Sequence, residues 1–265
     1  MEASILMLSS PLASAAAHHA AAHYAAALAQ FLAVRLLQVP LDDGAYSNSS
    51  SRLVRQAGQP GHGGPATARW GGAPLPAAIA HCPVPEQPLL LVLARPLAGQ
   101  IAALTQYLLQ ASTLPLLVVP APATGCLPPR RFALAADGEP FVLDQGLRTM
   151  HALLMTLPTQ LTVLHTQLPH SIYAQGDALH AVQSCGLACR HLAIEGRDLP
   201  ALEPAAGIMA GMAQASTDLL VVPVRPRHRW NPAFAGSITV RLLMQSPVPV
   251  LLLPVSAPPA SQRAA

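Results

Sequence analysis

Two apolar stretches, Leu114-Pro-Leu-Leu-Val-Val-Pro120 and Val248-Pro-Val-Leu-Leu-Leu-Pro254, superimpose without a gap. Each follows a segment of matching pattern, Gln106-Tyr-Leu-Leu in the first case and Val240-Arg-Leu-Leu in the second. Self-similarity of this kind is typical of a duplicated structural unit. The sequence therefore predicts two consecutive copies of one unit, with the boundary near residues 125–129.

Short runs rich in leucine and β-branched residues alternate with longer helical patterns in both copies. This alternation is typical of βαβ units and of a parallel sheet that is buried on both faces. In the first copy the predicted strands are 4–9, 34–40, 66–71, 89–94 and 115–121, and the predicted helices are 12–32, 74–82 and 98–112. In the second copy the predicted strands are 131–136, 160–167, 189–195, 218–223 and 248–254, and the predicted helices are 140–156, 175–187, 199–214 and 236–246.

The predicted fold is thus α/β, with five strands in each of two domains. The first domain is predicted at 1–128 and the second at 129–256, followed by a disordered tail at 257–265. The segment 42–65 is rich in Ser, Gly and Gln and lacks apolar periodicity, so we expect a mobile loop there.

The composition excludes several function classes. All fifteen basic residues are arginine, because the chain contains no lysine. A Walker A loop, a Schiff-base lysine and a protein-kinase lysine are therefore absent. Only 4% of the residues are aromatic and no run of four basic residues occurs, which disfavours nucleic-acid binding.

The hydropathy pattern does not favour a membrane protein, although 52% of the residues are hydrophobic. The uncharged segment 96–129 is interrupted by three glutamines and by Pro115 and Pro120, which divides it into an amphipathic helix and a short strand. At the start of the chain Glu2 is the only charged residue before Arg35, whereas a signal peptide has a basic first region. We predict a first buried strand, no membrane span and a cytoplasmic location.

Several segments of the second copy occur in the order found in one known family. A strand ends at Asp137-Gly138, the next reads Leu161-Thr-Val-Leu-His165, and a later one reads Thr217-Asp-Leu-Leu-Val-Val-Pro223. The closing run, Gly236-Ser-Ile-Thr-Val-Arg-Leu-Leu-Met-Gln-Ser-Pro-Val-Pro-Val-Leu-Leu-Leu-Pro254, is the most specific. Together they resemble a universal stress protein domain, and the resemblance extends over nearly the whole chain, twice. It implies two doubly wound parallel sheets of order 3-2-1-4-5, related to the adenine nucleotide alpha hydrolases.

In that strand order a crevice opens at the carboxyl ends of strands 1 and 4, where the order reverses. The resemblance implies that a nucleotide would contact the second copy there. The matching candidate residues, together with one arginine from the loop after strand 4, are Asp137, Gly138, Thr166, Arg225, Gly236, Ser237 and Thr239.

The loop after strand 4 departs from the pattern of nucleotide-binding members. That pattern resembles Gly, two residues, Gly, nine residues, and Gly followed by Ser or Thr, but this chain has Pro223 and Pro226 at the first two glycines. Proline lacks an N–H and fixes φ near about −65°, so these two positions cannot cradle a phosphate. Arg225, Arg227 and Arg229 are the alternative, charged contacts for a phosphate.

The first copy departs further from the family. Ser10-Pro11 stands where the second copy has Asp-Gly, and Ala102-Ala103 stands where it has Gly-Ser. We therefore expect no nucleotide in the first copy.

Three other patterns suggest chemistry. His19 and His23 lie one helical turn apart, as zinc ligands do, but no third ligand is evident, and we interpret them as an exposed helix face. Cys185 and Cys189 have the spacing of a redox pair or half a metal site, and we interpret them as buried thiols. His165 is interpreted as structural rather than as a general base.

The resemblance implies a universal stress protein that acts without catalysis, through protein partners that the sequence does not identify. The two copies are expected to pack as an internal pseudo-dimer through their last strands, and a homodimer of the whole chain is left open. We expect no cofactor. One alternative is a switch that binds ATP or AMP in the second copy, and another is an electron carrier similar to a flavoprotein.

Overall fold

The computed structural model of the 265-residue chain describes residues 3–41, 87–124, 127–143, 145–156, 160–167, 172–187, 193–201, 203–225 and 236–258. The predicted strand 66–71, helix 74–82 and loop 42–65 lie outside these residues, as does most of the predicted tail.

Strands and helices alternate along the described residues, as the sequence pattern predicts. The first half contains β1 (Ala3–Ser9), α1 (Ala15–Phe31), β2 (Arg35–Pro40), β3 (Gln87–Ala94), α2 (Ile101–Ala111) and β4 (Leu116–Val119). The second half contains β5 (Arg131–Ala135), α3 (Gln145–Thr156), β6 (Gln160–Gln167), α4 (Gln175–Ser184), β7 (Ala193–Pro200), α5 (Pro204–Gln214), β8 (Leu219–Val224), α6 (Ile238–Gln245) and β9 (Val250–Pro254).

The nine strands form one sheet in the order β2-β1-β3-β4-β9-β8-β5-β6-β7. Neighbouring strands are parallel except β4 and β9, which run antiparallel with Leu117 opposite Leu251. The sequence predicts two sheets of five strands, whereas the described strands make a single sheet. The physical reason is that an uncovered edge of apolar strands leaves its N–H and C=O groups unpaired, and β4 and β9 satisfy each other.

Helices cover both faces of this sheet, and strand residues alternate between them. On one face α1, α3 and α4 pack against alternate strand residues such as Ile5, Leu134 and Leu251. On the other face α2, α5 and α6 pack against the intervening ones, such as Leu6 and Leu252. Both clusters contain residues of the two halves, so the hydrophobic core is continuous across the β4–β9 pair.

Some predicted boundaries are wrong: α3 begins at Gln145 instead of 140, and β7 spans Ala193–Pro200 instead of 189–195. Its charged residues Glu195, Arg197 and Asp198 conceal the strand pattern. They are tolerated because β7 is an edge strand with only Leu199 buried. The helix that follows begins at Pro204 instead of 199, because proline is favoured at the first helical position, where its missing N–H costs no hydrogen bond.

Arg95 joins the two halves. It follows β3, and its Nη1 donates to the carbonyl oxygens of Leu243 at 3.4 Å, Met244 at 3.2 Å and Ser246 at 2.9 Å. These carbonyls lie at the end of α6, where backbone oxygens lack helical partners and carry partial negative charge. A cation of the first half thus stabilises a helix of the second.

We expect Arg95→Met to lower the free energy of unfolding by about 1 kcal/mol, because a charged donor to these carbonyls is lost while the aliphatic stem is kept. Chemical denaturation measures the difference. Arg95→Lys keeps the charge beside the helix end and should lose less. Equal losses in the two variants would contradict a role for the charge.

Among the described residues, every helix is too short or too polar to span a membrane.

Candidate functional site

A cavity of about 200 Å³ opens at the carboxyl ends of β5, β6 and β8. Along the sheet β5 lies between β6 and β8. The chain first adds β6 and β7 on one side of β5 and then returns to add β8 on the other side, so the strand order reverses at this point. Such a switch in strand order creates a crevice for ligands in open α/β sheets. Apolar side chains form most of the lining, notably Phe141, Ile208, Val222, Ile238 and Leu242, and the polar lining residues are Asp137, His165, Thr166, Arg225 and Thr239.

Four of the seven predicted site residues line this cavity, namely Asp137, Thr166, Arg225 and Thr239. Gly236 and Ser237 lie at the start of α6, where the Ser237 hydroxyl accepts a hydrogen bond from the N–H of Val240 at 3.3 Å. The serine therefore caps the helix, a role that serine commonly has at this position.

Asp137 and Arg225 form a bidentate ion pair across the mouth of the cavity. Arg225 Nη1 donates to Asp137 Oδ2 at 2.8 Å, and Nη2 donates to Oδ1 at 3.0 Å. The arginine side chain is 9% exposed and the aspartate side chain 53%. Parallel contacts of this kind fix the orientation of both groups. The carboxylate that the resemblance assigns to a nucleotide therefore already has a partner within the chain.

Glu139, which the sequence analysis did not select, completes this cluster. Its carbonyl oxygen accepts from Arg225 Nη2 at 2.6 Å, and its carboxylate lies 3.6 Å from Arg225 Nε. Its N–H donates to Asp137 Oδ1 at 3.1 Å. Asp137 and Glu139 thus both engage the guanidinium of Arg225.

Gly138 allows the chain to turn between the two acidic residues. Its φ is +91°, and a Cβ atom there would lie 2.3 Å from the Cβ of Tyr173. Both facts require glycine at this position. The glycine that the resemblance assigns to ligand binding thus has a conformational role.

His165 connects the ends of β5 and β6. Its Nδ1 lies 3.0 Å from the carbonyl oxygen of Ala136, so Nδ1 carries the proton and donates it. The ring is buried, and Nε2 has no hydrogen-bond partner among the described residues. This geometry supports the structural interpretation of His165.

Thr166 lines the cavity and joins two elements. Its hydroxyl donates to the carbonyl oxygen of Pro204 at 3.3 Å, which ties β6 to the start of α5. Pro223 also lines the cavity and, as a proline, offers no N–H there. Pro226, Arg227 and Arg229 lie outside the described residues.

In the first half, the end of β1 corresponds to the end of β5. It borders a shallow cleft lined by residues that include Ser10, Pro11, His18 and His19. His18 Nε2 lies 2.5 Å from the carbonyl oxygen of Ser10. Ala102 and Ala103 lie within α2 instead of capping it. The described part of the chain brings no three His, Cys, Asp or Glu side chains together as a metal site, so the His19 and His23 pair gains no third ligand there.

Cys185 is a buried free thiol at the C-terminal end of α4. Burial raises the pKa of the Cys185 thiol, and two backbone hydrogen bonds lower it. Because burial has the larger effect, the pKa is raised to about 11. The protonated form is inert toward redox chemistry at neutral pH. Cys189, its predicted partner, lies outside the described residues.

These features define an α/β protein with an open, mostly parallel sheet and a ligand-sized cleft where the strand order switches. Among solved structures, the chain is similar to a universal stress protein from Archaeoglobus fulgidus, at 13% identity and a TM-score of 0.51, over 94% of this chain and 98% of the other. The chain therefore has the fold of a universal stress protein.

Two proteins from Pseudomonas aeruginosa are also similar. One, of unknown function, is 15% identical with a TM-score of 0.47, over 95% of this chain and 92% of its own. The other, provisionally assigned to the universal stress proteins, is 14% identical with a TM-score of 0.48, over 95% of this chain and 93% of its own. No protein-family model and no curated protein matches the sequence.

Proposed function

We propose that the chain is a tandem universal stress protein that acts in the cytoplasm by binding protein partners, without catalysis and without a bound nucleotide. The observation that carries the proposal is the bidentate pair between Asp137 and Arg225 at the mouth of the cleft. A nucleotide would have to break this pair or bind outside it. Since Arg225 is 9% exposed, breaking the pair would leave a buried cation without its main partner.

The charge and backbone of the cleft also oppose a triphosphate. The guanidinium of Arg225 is already engaged by the carboxylates of Asp137 and Glu139, so it is not free to receive a phosphate. Pro223 has no N–H to donate to a phosphate, and the α6 N-terminus is already capped by Ser237. Each effect raises the free energy of a bound phosphate.

The strand arrangement supports a tandem of two units. In the second half the order β7-β6-β5-β8-β9 is the 3-2-1-4-5 order of the family, and in the first half β2-β1-β3-β4 follows the same course. The antiparallel contact of β4 with β9 is where two such units would meet as an internal pseudo-dimer. Fusion keeps the partner unit at high effective concentration.

Thermal unfolding in the presence of nucleotide tests the proposal. A ligand at one hundred times its Kd stabilises a folded protein by about 2.7 kcal/mol, which is readily detected as a rise in Tm. We expect no saturable rise with ATP or AMP up to millimolar concentrations, either in the unaltered chain or in Arg225→Met. A saturable rise that Asp137→Ala abolishes would establish the nucleotide switch instead.

A further inference from the structure

We propose that the outer edge of β7 is an interface for a second copy of this chain, whose own β7 pairs with it in antiparallel orientation. β7 ends the sheet, and β6 is its one neighbouring strand among the described residues. It is eight residues long, and an edge of this length presents a row of backbone N–H and C=O groups to another strand. The inference goes beyond the proposed function, since it names a partner and does not depend on the state of the cleft.

Two opposite charges lie on one face of β7. Ile194 packs against the core cluster on the α1, α3 and α4 side, whereas Leu199 belongs to the cluster on the other side. Because side chains alternate along a strand, Glu195 and Arg197 share the face of Leu199. Glu195 is exposed and Arg197 is half-buried, and the ion pairs among the described residues include neither of them. Both charges are therefore available to a partner.

The two halves of the chain already show the symmetry that such a dimer would have. β4 and β9 pair antiparallel, and matching helices lie on the same face of the sheet, α1 with α3 and α2 with α6. This arrangement is close to a two-fold axis normal to the sheet. If two copies pair through β7 about such an axis, residues that lie opposite each other come from the same face of the strand.

The charges of β7 favour one register of this pairing. With Gly196 opposite Gly196 of the second copy, Glu195 of each copy lies opposite Arg197 of the other. Side chains directly opposite in antiparallel strands have Cβ atoms about 4.5–5.5 Å apart, which permits an ion pair. Registers centred on Glu195, Arg197 or Asp198 place like charges opposite each other and are destabilised. Charges on an edge strand usually oppose association, but here they select a single register.

Sedimentation velocity of the full chain over a series of concentrations tests the interface. One strand from each copy makes a small interface, so we expect a weak dimer with a Kd in the micromolar range. Glu195→Arg places like charges opposite each other and should raise the Kd about tenfold or more. The matched control is Asp198→Arg, which changes the net charge equally. Asp198 lies on the other face, opposite Ile194, so this variant should leave the Kd nearly unchanged.

A mixture of two variants tests the register. Glu195→Arg leaves two positive charges on this face of β7, and Arg197→Glu leaves two negative charges. We expect each variant alone to remain monomeric at concentrations where the unaltered chain dimerises. Because the two charge patterns complement each other in the proposed register, an equimolar mixture should form a dimer about as tight as that of the unaltered chain.

Several outcomes would overturn the proposal. They are an unaltered chain that stays monomeric at several hundred micromolar, equal effects of Glu195→Arg and Asp198→Arg, and a mixture that stays monomeric. If the half-buried position of Arg197 prevents Arg197→Glu from folding, the contrast between the other two variants decides alone. Saturable binding of ATP in the thermal experiment would refute the proposed function and leave this interface standing.

Discussion

Gly138→Ala is expected to lower the free energy of unfolding by about 3 kcal/mol. Two costs add at this position. The φ of +91° is strained for any residue with a Cβ atom, at about 1–3 kcal/mol. The added Cβ would also lie 2.3 Å from the Cβ and 2.8 Å from the Cγ of Tyr173, which must move, and such overpacking costs about 1–3 kcal/mol.

Gly176→Ala provides the control for Gly138→Ala. Gly176 lies in the first turn of α4, and apart from its chain neighbours and the backbone of the helix itself no described atom lies within 4 Å of the site of its added Cβ. Alanine is favoured over glycine in a helix by up to about 1 kcal/mol, so this variant should be neutral or more stable. Urea denaturation of both variants measures the contrast. A loss below about 1 kcal/mol in Gly138→Ala would mean that the turn before Glu139 relaxes freely.

The fold was largely predictable because the strands are apolar and repeated. Leu114–Pro120 and Val248–Pro254 align without a gap and share their apolar pattern, and both contain buried strands that pair with each other. β7 was misplaced because an edge strand needs no apolar alternation, and its charged residues resemble a loop. Alternation of apolar and polar residues in the sequence reflects burial of the strand. β7 has only one buried residue, so its position was the hardest to predict.

The position of the cleft could be predicted from the sequence, but the ion pair within it could not. The end of β5 and the start of α6 identified Asp137 and Ser237, but 88 residues separate Asp137 from Arg225, and no local pattern records their pairing. One signal was present. An Arg-Pro pair follows β3 in the first half, at Arg95, and β8 in the second half, at Arg225, but only the second half has an aspartate after its first strand.

That difference explains the separate uses of the two arginines. Arg225 pairs with a carboxylate of its own half beside the cleft. In the first half Ser10 stands where Asp137 stands in the second, and Arg95 turns to the carbonyl oxygens at the end of α6. The same repeated residue thus pairs with an aspartate beside the cleft in one half and joins the halves in the other.

β5 and β8 are held by an arginine and an aspartate at both ends. At their carboxyl ends the pair is Asp137 with Arg225, and at their amino ends it is Arg131 with Asp218. In the second pair the aspartate is the buried member, with a side chain that is 0% exposed against 42% for Arg131. Stability should therefore depend on Asp218 more than on Arg131.

Asp218→Ala is accordingly expected to lower the free energy of unfolding by about 3 kcal/mol. Asp218 Oδ2 accepts from the backbone N–H groups of Arg130 at 3.1 Å and Arg131 at 3.0 Å, and both carboxylate oxygens accept from the Arg131 guanidinium. Hydrogen bonds to a charged group each contribute about 1.5–3 kcal/mol, and the alanine leaves the two backbone donors unsatisfied at the start of β5.

Arg131→Met separates the ion pair from the backbone contacts. In this variant Asp218 keeps the backbone N–H donors of Arg130 and Arg131, and the lost ion pair is partly screened because Arg131 is 42% exposed, so the loss should be about 1 kcal/mol and smaller than that of Asp218→Ala. Urea denaturation of the two variants measures the contrast. If Arg131→Met costs as much as Asp218→Ala, the ion pair and not the backbone contacts fixes the start of β5. If both cost little, the amino ends of β5 and β8 are held by their apolar neighbours, Phe132 and Leu219, which are buried at the start of the two strands.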